Sequence, residues 1–455
     1  MNNKRILLGF SLLLYLMFFF PCFDWDIRWK AVIALAIIQI LWIGRVFPLA
    51  FSSLLFMLIL SFHFFSYEET LGYFSSGIVW LLFSTFILSK SFIETGLASR
   101  VSLFILKLSA GSGKALILIS FLLMIVLSIL IPSNVGKASL VSSVLDSLVK
   151  SLKQLGEVRK LAKSLFIGIA YLAAISGVFV ATGASSTIYT FGILSEISPD
   201  IDYLNWLILF GVPILLYILL LWIIFLVIFP PEKIDRKLIL NFIDDKIKEL
   251  GKLSVREKKL MILIGFTLLL WITQNWHGYS IPQIGLLGAC ITILPYIGIW
   301  NWEQARKSID WDMMLFFAST LMVSGMLVKT GTIDWMASVL NTHLSAQSTW
   351  LAVLILVIFT AILRIVFVNI LGFLTIMLPL AVTIGETMPD VSPITIAMPV
   401  FLAGVPGFFL VTQSPVHLIS YTYSYFSDKD LFRVGVYSAF LWIVVILFSV
   451  FFWWS

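Results

Sequence analysis

Charge is scarce in this chain. Of its 455 residues only 12% are Asp, Glu, Lys or Arg, about half the ~25% usual in soluble domains. Cysteine is nearly absent: Cys22 and Cys290 lie in or beside apolar stretches, too few for a disulfide framework or a thiolate metal site. The four histidines, His63, His277, His343 and His417, show no H-x-x-x-H spacing, so a zinc peptidase is unsupported. No acidic residue lies inside an apolar run, since Asp146, Glu94 and Glu386 all fall towards run ends. A carboxylate proton relay is therefore not visible. The net charge of +6 is not a nucleic-acid signature, because the basic residues sit between apolar runs.

What is present is apolar surface. Sixty per cent of residues are apolar, with 39 Phe, 16 Trp and 13 Tyr, and the mean hydropathy is +1.05. No water-soluble fold of this length can hide so much. The chain reads as an all-α polytopic membrane protein. The apolar run from Ile6 to Cys22 could pass for a signal peptide. It is taken as a first span, because no small-residue cleavage site follows and Phe23-Asp24-Trp25 does.

Basic residues cluster at Lys4–Arg5, Lys150–Lys163, Lys233–Lys259 and Arg306–Lys307, whereas Ser195–Trp206, Gln274–Ser280 and Thr387–Ser392 carry none. The positive-inside rule then puts the N-terminus in the cytoplasm. The last run, Val434–Trp454, ends in an aromatic cluster suited to the outer interface, so the C-terminus is expected outside. Pro230–Lys259 is the most charged segment, expected to be an amphipathic soluble linker between two halves.

The halves repeat at a shift of 235. Phe83-Ser84-Thr85 with Thr95-Gly96 falls on Ala318-Ser319-Thr320 with Thr330-Gly331. Ser89 falls on Ser324, and Ser133-Asn134-Val135 on Val368-Asn369-Ile370. Repeats of opposite orientation build many secondary transporters, with the substrate site at their interface. The expected division is scaffold helices at 1–74, a first inverted repeat at 75–229, the linker at 230–259 and a second repeat at 260–455. About eleven transmembrane helices are expected, with reentrant hairpins near Ser75–Phe92 and Met313–Val328. Trp350–Gly385 is too long for one span and lacks a loop for two, so a helix broken around Asn369 is expected.

Four polar positions stand out inside apolar sequence. Asn134 and Asn369 occupy equivalent places, where an Asn at a helix break can bind an ion or simply tie down loose backbone. Arg364 lies about 21 Å along a helix begun at Trp350, too deep to snorkel. A buried Arg of this kind lines a polar cavity or pairs with a backbone carbonyl. Lys137, one turn beyond Asn134, falls at a helix start where a cation is unfavourable, unless an anion visits or the side chain reaches the interface. Two further stretches, Thr182–Thr187 and Thr412–His417, look like loops at membrane depth. Cations inside without acids to match point to an anionic substrate.

In order and spacing the chain resembles the divalent-anion:sodium symporter family of di- and tricarboxylate transporters, from about Trp80 to Val436. Ile93–Arg100 resembles the segment after the family's first hairpin, and Trp311–Gly331 its second hairpin. Ser133-Asn134-Val135 and Val368-Asn369-Ile370 stand at the two Ser-Asn-Thr positions. Gly183-Ala184-Ser185-Ser186-Thr187 and Gln413-Ser414-Pro415-Val416-His417 stand at the two Thr-Pro-Pro positions. Tyr425–Asp430 resembles the motif before the last helix. The signature residues themselves differ: Val135 replaces a Thr, and the second motif keeps only Asn369.

The resemblance implies a dimeric carrier working by alternating access, with substrate carboxylates on the Ser-Asn-Thr side chains and sodium on nearby carbonyls. The substrate-binding candidates are Ser133, Asn134, Lys137, Ser185, Ser186, Thr187, Arg364, Asn369, Gln413, Ser414 and His417, and no catalytic residue is expected. Sodium is a weak candidate at Ser133, Asn134 and Gly183, and no other cofactor is implied. The expected function is secondary transport of a small organic or inorganic anion across the cytoplasmic membrane, with weak or no sodium dependence. The partners are that anion, the bilayer and a second copy, without nucleic acid. The alternative is a receptor or assembly subunit that no longer transports.

Overall fold

The computed structural model describes residues 2–20, 24–154, 156–344, 349–388 and 392–454, so Cys22 and Phe23 lie outside it. The regular structure of the described residues is all helical, without strands. Three N-terminal helices come first: α1 (Asn2–Phe19), α2 (Ile27–Ile43) and α3 (Leu49–His63). The next seven are α4 (Gly77–Glu94), α5 (Leu97–Lys107), α6 (Gly113–Leu130), α7 (Asn134–Lys153), α8 (Arg159–Ile175), α9 (Ser185–Ile197) and α10 (Tyr203–Ile228). After them come α11 (Arg236–Glu249), α12 (Val255–Ile272) and α13 (Ile281–Ile293). The last seven are α14 (Trp311–Lys329), α15 (Thr332–Leu344), α16 (Thr349–Leu363), α17 (Ile370–Thr387), α18 (Pro393–Gly404), α19 (Pro415–Thr422) and α20 (Asp428–Phe448).

The helices α4–α10 and α14–α20 follow one another in the same pattern of long and short. In each series a helix of 18 or 19 residues turns at a glycine into a shorter one. The turns are Gly96, at φ +82°, and Gly331, at φ +67°, a left-handed conformation open to glycine without steric penalty. Hairpins are expected near Ser75–Phe92 and Met313–Val328, each turning at the following Thr-Gly. Each range falls largely within the first helix of a pair, and Gly96 and Gly331 lie between the two helices of each pair.

Among the described residues, seven helical segments are long and apolar enough to cross a membrane by length and composition: Gly77–Glu94, Gly113–Leu130, Arg159–Val178, Tyr203–Ile228, Trp311–Lys329, Ile370–Thr387 and Asp428–Trp453. The long helix α10 shows how an apolar helix divides its faces. Leu204, Ile208, Val212, Leu215, Leu219, Ile223 and Val227 are exposed, whereas Trp206, Phe210, Ile214, Tyr217, Leu221 and Phe225 are buried. Both sets recur every three or four residues, so one apolar face meets protein and the other suits lipid.

By contacts the chain forms two compact units, Met1–Phe83 with Asp310–Gly404 and Ser84–Ile309 with Val405–Ser455. In the first, α14 packs on α3 and α17, and α17 packs on α18. In the second, α8 is the central helix: 94% of its span Arg159–Val178 is buried, and α6, α7 and α19 pack on it.

The charged segment after Pro230 is not a free linker. Helix α11 packs on α5 and α7, with Ile239 and Ile243 buried. Asp244 pairs with Lys107 at 2.6 Å. Arg100, itself buried, donates to Glu257 at 2.7 Å and to the carbonyls of Gly251 and Leu250 at 3.0 and 3.1 Å. The amphipathic pattern was legible in the sequence, but the identity of its partner was not.

Candidate functional site

The first break separates α6 from α7. Pro132 has no N–H to continue a helix, and Ile131 and Ser133 take extended backbone angles. Ser133 caps α7, its Oγ accepting from the Gly136 amide at 3.1 Å. Lys137 follows one turn later and is fully buried. Its Nζ donates to Ser128 Oγ at 2.6 Å and to the Gly183 carbonyl at 3.3 Å. Ser128 Oγ lies 2.9 Å from Ser176 Oγ. The Lys137 amino group is thus held by Ser128, itself paired with Ser176, and by a loop carbonyl.

Beside it the chain crosses itself closely. A Cβ on Gly183 would come within 2.4 Å of the Gly177 carbonyl, and one on Gly177 within 2.9 Å of Asn134 Oδ1. Only glycine permits this approach. Asn134 Oδ1 is buried without a hydrogen-bond partner. Thr187 Oγ1 donates to the Gly177 carbonyl at 2.9 Å. Ser185 and Ser186 open helix α9, where the first amides have no partner within the helix. Ser133, Asn134, Lys137, Gly183 and Thr187 therefore gather in one place. Ser128, Ser176 and Gly177 join them, and the sequence reading missed all three. A serine nine residues before a buried lysine in an apolar helix was the only signal available for Ser128.

The second break lies in the other unit, between α16 and α17. Asn369 caps α17, accepting from the Gly372 amide at 3.2 Å. Arg364 is 1% exposed. Its Nε donates to the Gly404 carbonyl at 2.9 Å, and Nη1 donates to Phe367 O in the break. Gly404 ends α18, where the helix dipole is negative. Of the two roles open to Arg364 in the sequence, carbonyl pairing is present in the structure.

The repeat register changes at the breaks. A shift of 235 pairs Asn134 with Asn369, but the capping role pairs Ser133 with Asn369 and Gly136 with Gly372. Asn134 is no cap, which corrects the expectation that the two asparagines occupy equivalent positions. The side-chain oxygen of Asn134 is buried and lacks a hydrogen-bond partner.

The third group lies in the second unit. Gln413 Oε1 accepts from the amides of Phe409 and Leu410 at 3.1 and 3.4 Å. Ser414 caps α19, accepting from the Val416 amide at 3.3 Å. His417 Nδ1 lies 2.9 Å from the Leu410 carbonyl, and its ring meets Tyr171 edge-on. These side chains hold the loop before α19 in shape, and α19 packs on α7 and α8.

Of the candidate sodium positions Ser133, Asn134 and Gly183, the Gly183 carbonyl accepts from Lys137.

The sequence matches the sodium:sulfate symporter transmembrane region over residues 8–455. It is similar to the citrate/succinate antiporter of Escherichia coli (strain K12), 25% identical over 384 residues, covering 82% of this chain and 78% of that protein. It is also similar to the sodium-dependent dicarboxylate transporter SdcS of Staphylococcus aureus, 26% identical over 471 residues, covering 97% and 88%. Among solved structures, the YdaH transporter of Alcanivorax borkumensis shares the fold with a TM-score of 0.52 at 11% identity, covering 83% of this chain and 85% of that one. The chain therefore belongs to the sodium:sulfate (divalent anion:sodium) symporter family, whose members are membrane transporters and not enzymes.

Proposed function

We propose that this chain is a secondary active transporter of a small anion, working by alternating access in the cytoplasmic membrane with weak or no sodium dependence. Lys137 carries this reading. Its ammonium sits on the Gly183 carbonyl and Ser128 Oγ, the kind of oxygen set that would otherwise take a mobile cation. Arg364 does the equivalent on Gly404 and Phe367. Both cations are covalently tethered, so neither leaves when the substrate does.

Tethering has a consequence for transport. A carrier that releases both substrate and sodium returns empty without excess charge. A carrier with fixed cations would return with them uncompensated through an apolar barrier, which is costly. Return with a second anion avoids that cost, so exchange is favoured over net uptake. The relatives named above include both an antiporter and a sodium-dependent transporter; the tethered cations favour the antiporter's mode here. The substrate is a small organic or inorganic anion, with citrate, succinate and other dicarboxylates first in the screen. Ser133, Asn134, Lys137, Ser185, Ser186, Thr187, Arg364, Asn369, Gln413, Ser414 and His417 are its candidate contacts. On the same reading the N-terminus is cytoplasmic, the C-terminus is outside and the carrier is a homodimer.

The test is uptake into proteoliposomes of labelled succinate, citrate and sulfate, in sodium and in choline, with and without internal anion. Choline should support uptake as well as sodium does, and internal anion should accelerate it. Strict sodium dependence with two ions per turnover overturns the reading. Absence of uptake for every anion tested returns the receptor or assembly-subunit alternative.

A further inference from the structure

Away from both breaks, the second unit holds a cavity of about 250 Å³ lined by Lys90, Glu94, Arg256, Trp300, Gln304 and Lys307, among others. We infer that it is a binding site for the phosphate-bearing headgroup of an anionic phospholipid. The inference is independent of the transport reading.

Charge is the first argument. Lys90 pairs with Glu94 at 2.9 Å, whereas among the described residues Arg256 and Lys307 have no carboxylate partner. The cavity is left with two uncompensated cations. Further basic side chains neighbour it in sequence: Lys258, Lys259 and Arg306. Of these only Arg306 is neutralised, by Glu303 at 2.6 Å.

Construction is the second. The segment from Leu294 to Lys307, which gives Ile299, Trp300, Gln304 and Lys307 to the wall, is tied down and not a loose loop. The Ile299 amide donates to the Thr292 carbonyl at 2.8 Å, and Trp300 Nε1 donates to Thr292 Oγ1 at 3.1 Å. Asn301 and Gln304 form a reciprocal capping box. The site is preformed, so little ordering opposes binding.

Surroundings are the third. Tyr296, Ile297 and Trp302, in the same segment, are 96%, 56% and 50% exposed. Aromatic and apolar side chains left outside a basic pocket are the composition of a membrane interface. Basic pockets between membrane helices bind anionic headgroups. The volume is small for a drug-sized ligand, whose pockets run from about 300 Å³ upward, and it suits a headgroup whose acyl chains stay in the bilayer.

The test uses the full chain purified in detergent, with lipid binding read by native mass spectrometry. The probes are phosphatidylglycerol, phosphatidylcholine and inorganic phosphate. Wild type should bind phosphatidylglycerol in preference to phosphatidylcholine. Arg256→Gln with Lys307→Gln should weaken phosphatidylglycerol about 30-fold, each cation contributing about fivefold. Lys233→Gln with Lys237→Gln, which removes the same charge from the α11 region, should change nothing. If the double pocket variant fails to fold, Lys307→Gln alone, on an exposed turn, should still give about fivefold. Equal affinity in the pocket and control variants overturns the inference. So does inorganic phosphate that displaces the lipid at equal concentration, because a free anion is then the occupant.

Discussion

The two helix breaks solve one problem with different chemistry. At the first, a lysine reaches back from the start of α7 to a hydroxyl pair and the Gly183 carbonyl. At the second, an arginine just beyond α16 reaches across to the end of α18 and to its own break. Lysine is a point charge on a flexible stem, and its donors can rotate towards a changing set of oxygens. Arginine is a rigid fork that fixes two carbonyls in one geometry. The difference marks the second break as the more structural of the two and the first as the more adaptable. The single unsatisfied oxygen of Asn134 stands beside Gly177 at the first break, in line with that division.

The largest effect is expected from Arg364→Ala. It strands the Gly404 and Phe367 carbonyls, and thermal unfolding in detergent should show a loss of about 4 kcal/mol. Arg364→Lys should recover only part of it, because an ammonium lacks the fork. Full recovery by lysine would erase the distinction between the breaks.

Lys137→Ala comes next, with a loss of about 2 kcal/mol from Gly183 and the serine pair. It also carries a qualitative outcome. Sodium should raise the unfolding temperature of this variant and leave the wild type unmoved, since the oxygens are then open to a mobile cation. Sodium that stabilises the wild type equally would show that the tethered ammonium excludes nothing.

Smaller effects test the register. Asn369→Ala and Ser133→Ala each remove a helix cap and should cost about 1 kcal/mol. Asn134→Ala removes an oxygen with no partner, so its cost should stay within about 0.5 kcal/mol. Its effect belongs to binding: anion-dependent stabilisation should disappear in Asn134→Ala. If Asn134→Ala costs as much stability as Asn369→Ala, the one-residue change of register is wrong.

Much of this was legible before the fold. Composition required a membrane protein, and repeated Thr-Gly turns at a shift of 235 marked the two helix pairs. The repeat of Asn134 at Asn369 and the length of Trp350–Gly385 marked the two breaks. What each polar residue does was less legible. Asn134 and Asn369 look alike in sequence because both follow a small or β-branched residue inside an apolar run, yet only one caps a helix. Gln413 and His417 read as ligand contacts, and the structure shows bonds that each makes to its own loop, Gln413 to the Phe409 and Leu410 amides and His417 to the Leu410 carbonyl.

The sequence by itself determined the solvent, the helical class and the positions at which helices must stop. Those follow from apolar content, run length and residues that cannot continue a helix, all local properties of the chain. Tertiary structure alone decided which carbonyls the buried cations meet. Ser176 and Gly183 lie 39 and 46 residues from Lys137, and Gly404 lies 40 from Arg364. No periodicity links such distant positions, and only the packing of one helix against another brings an unpaired oxygen to a charge that must be satisfied.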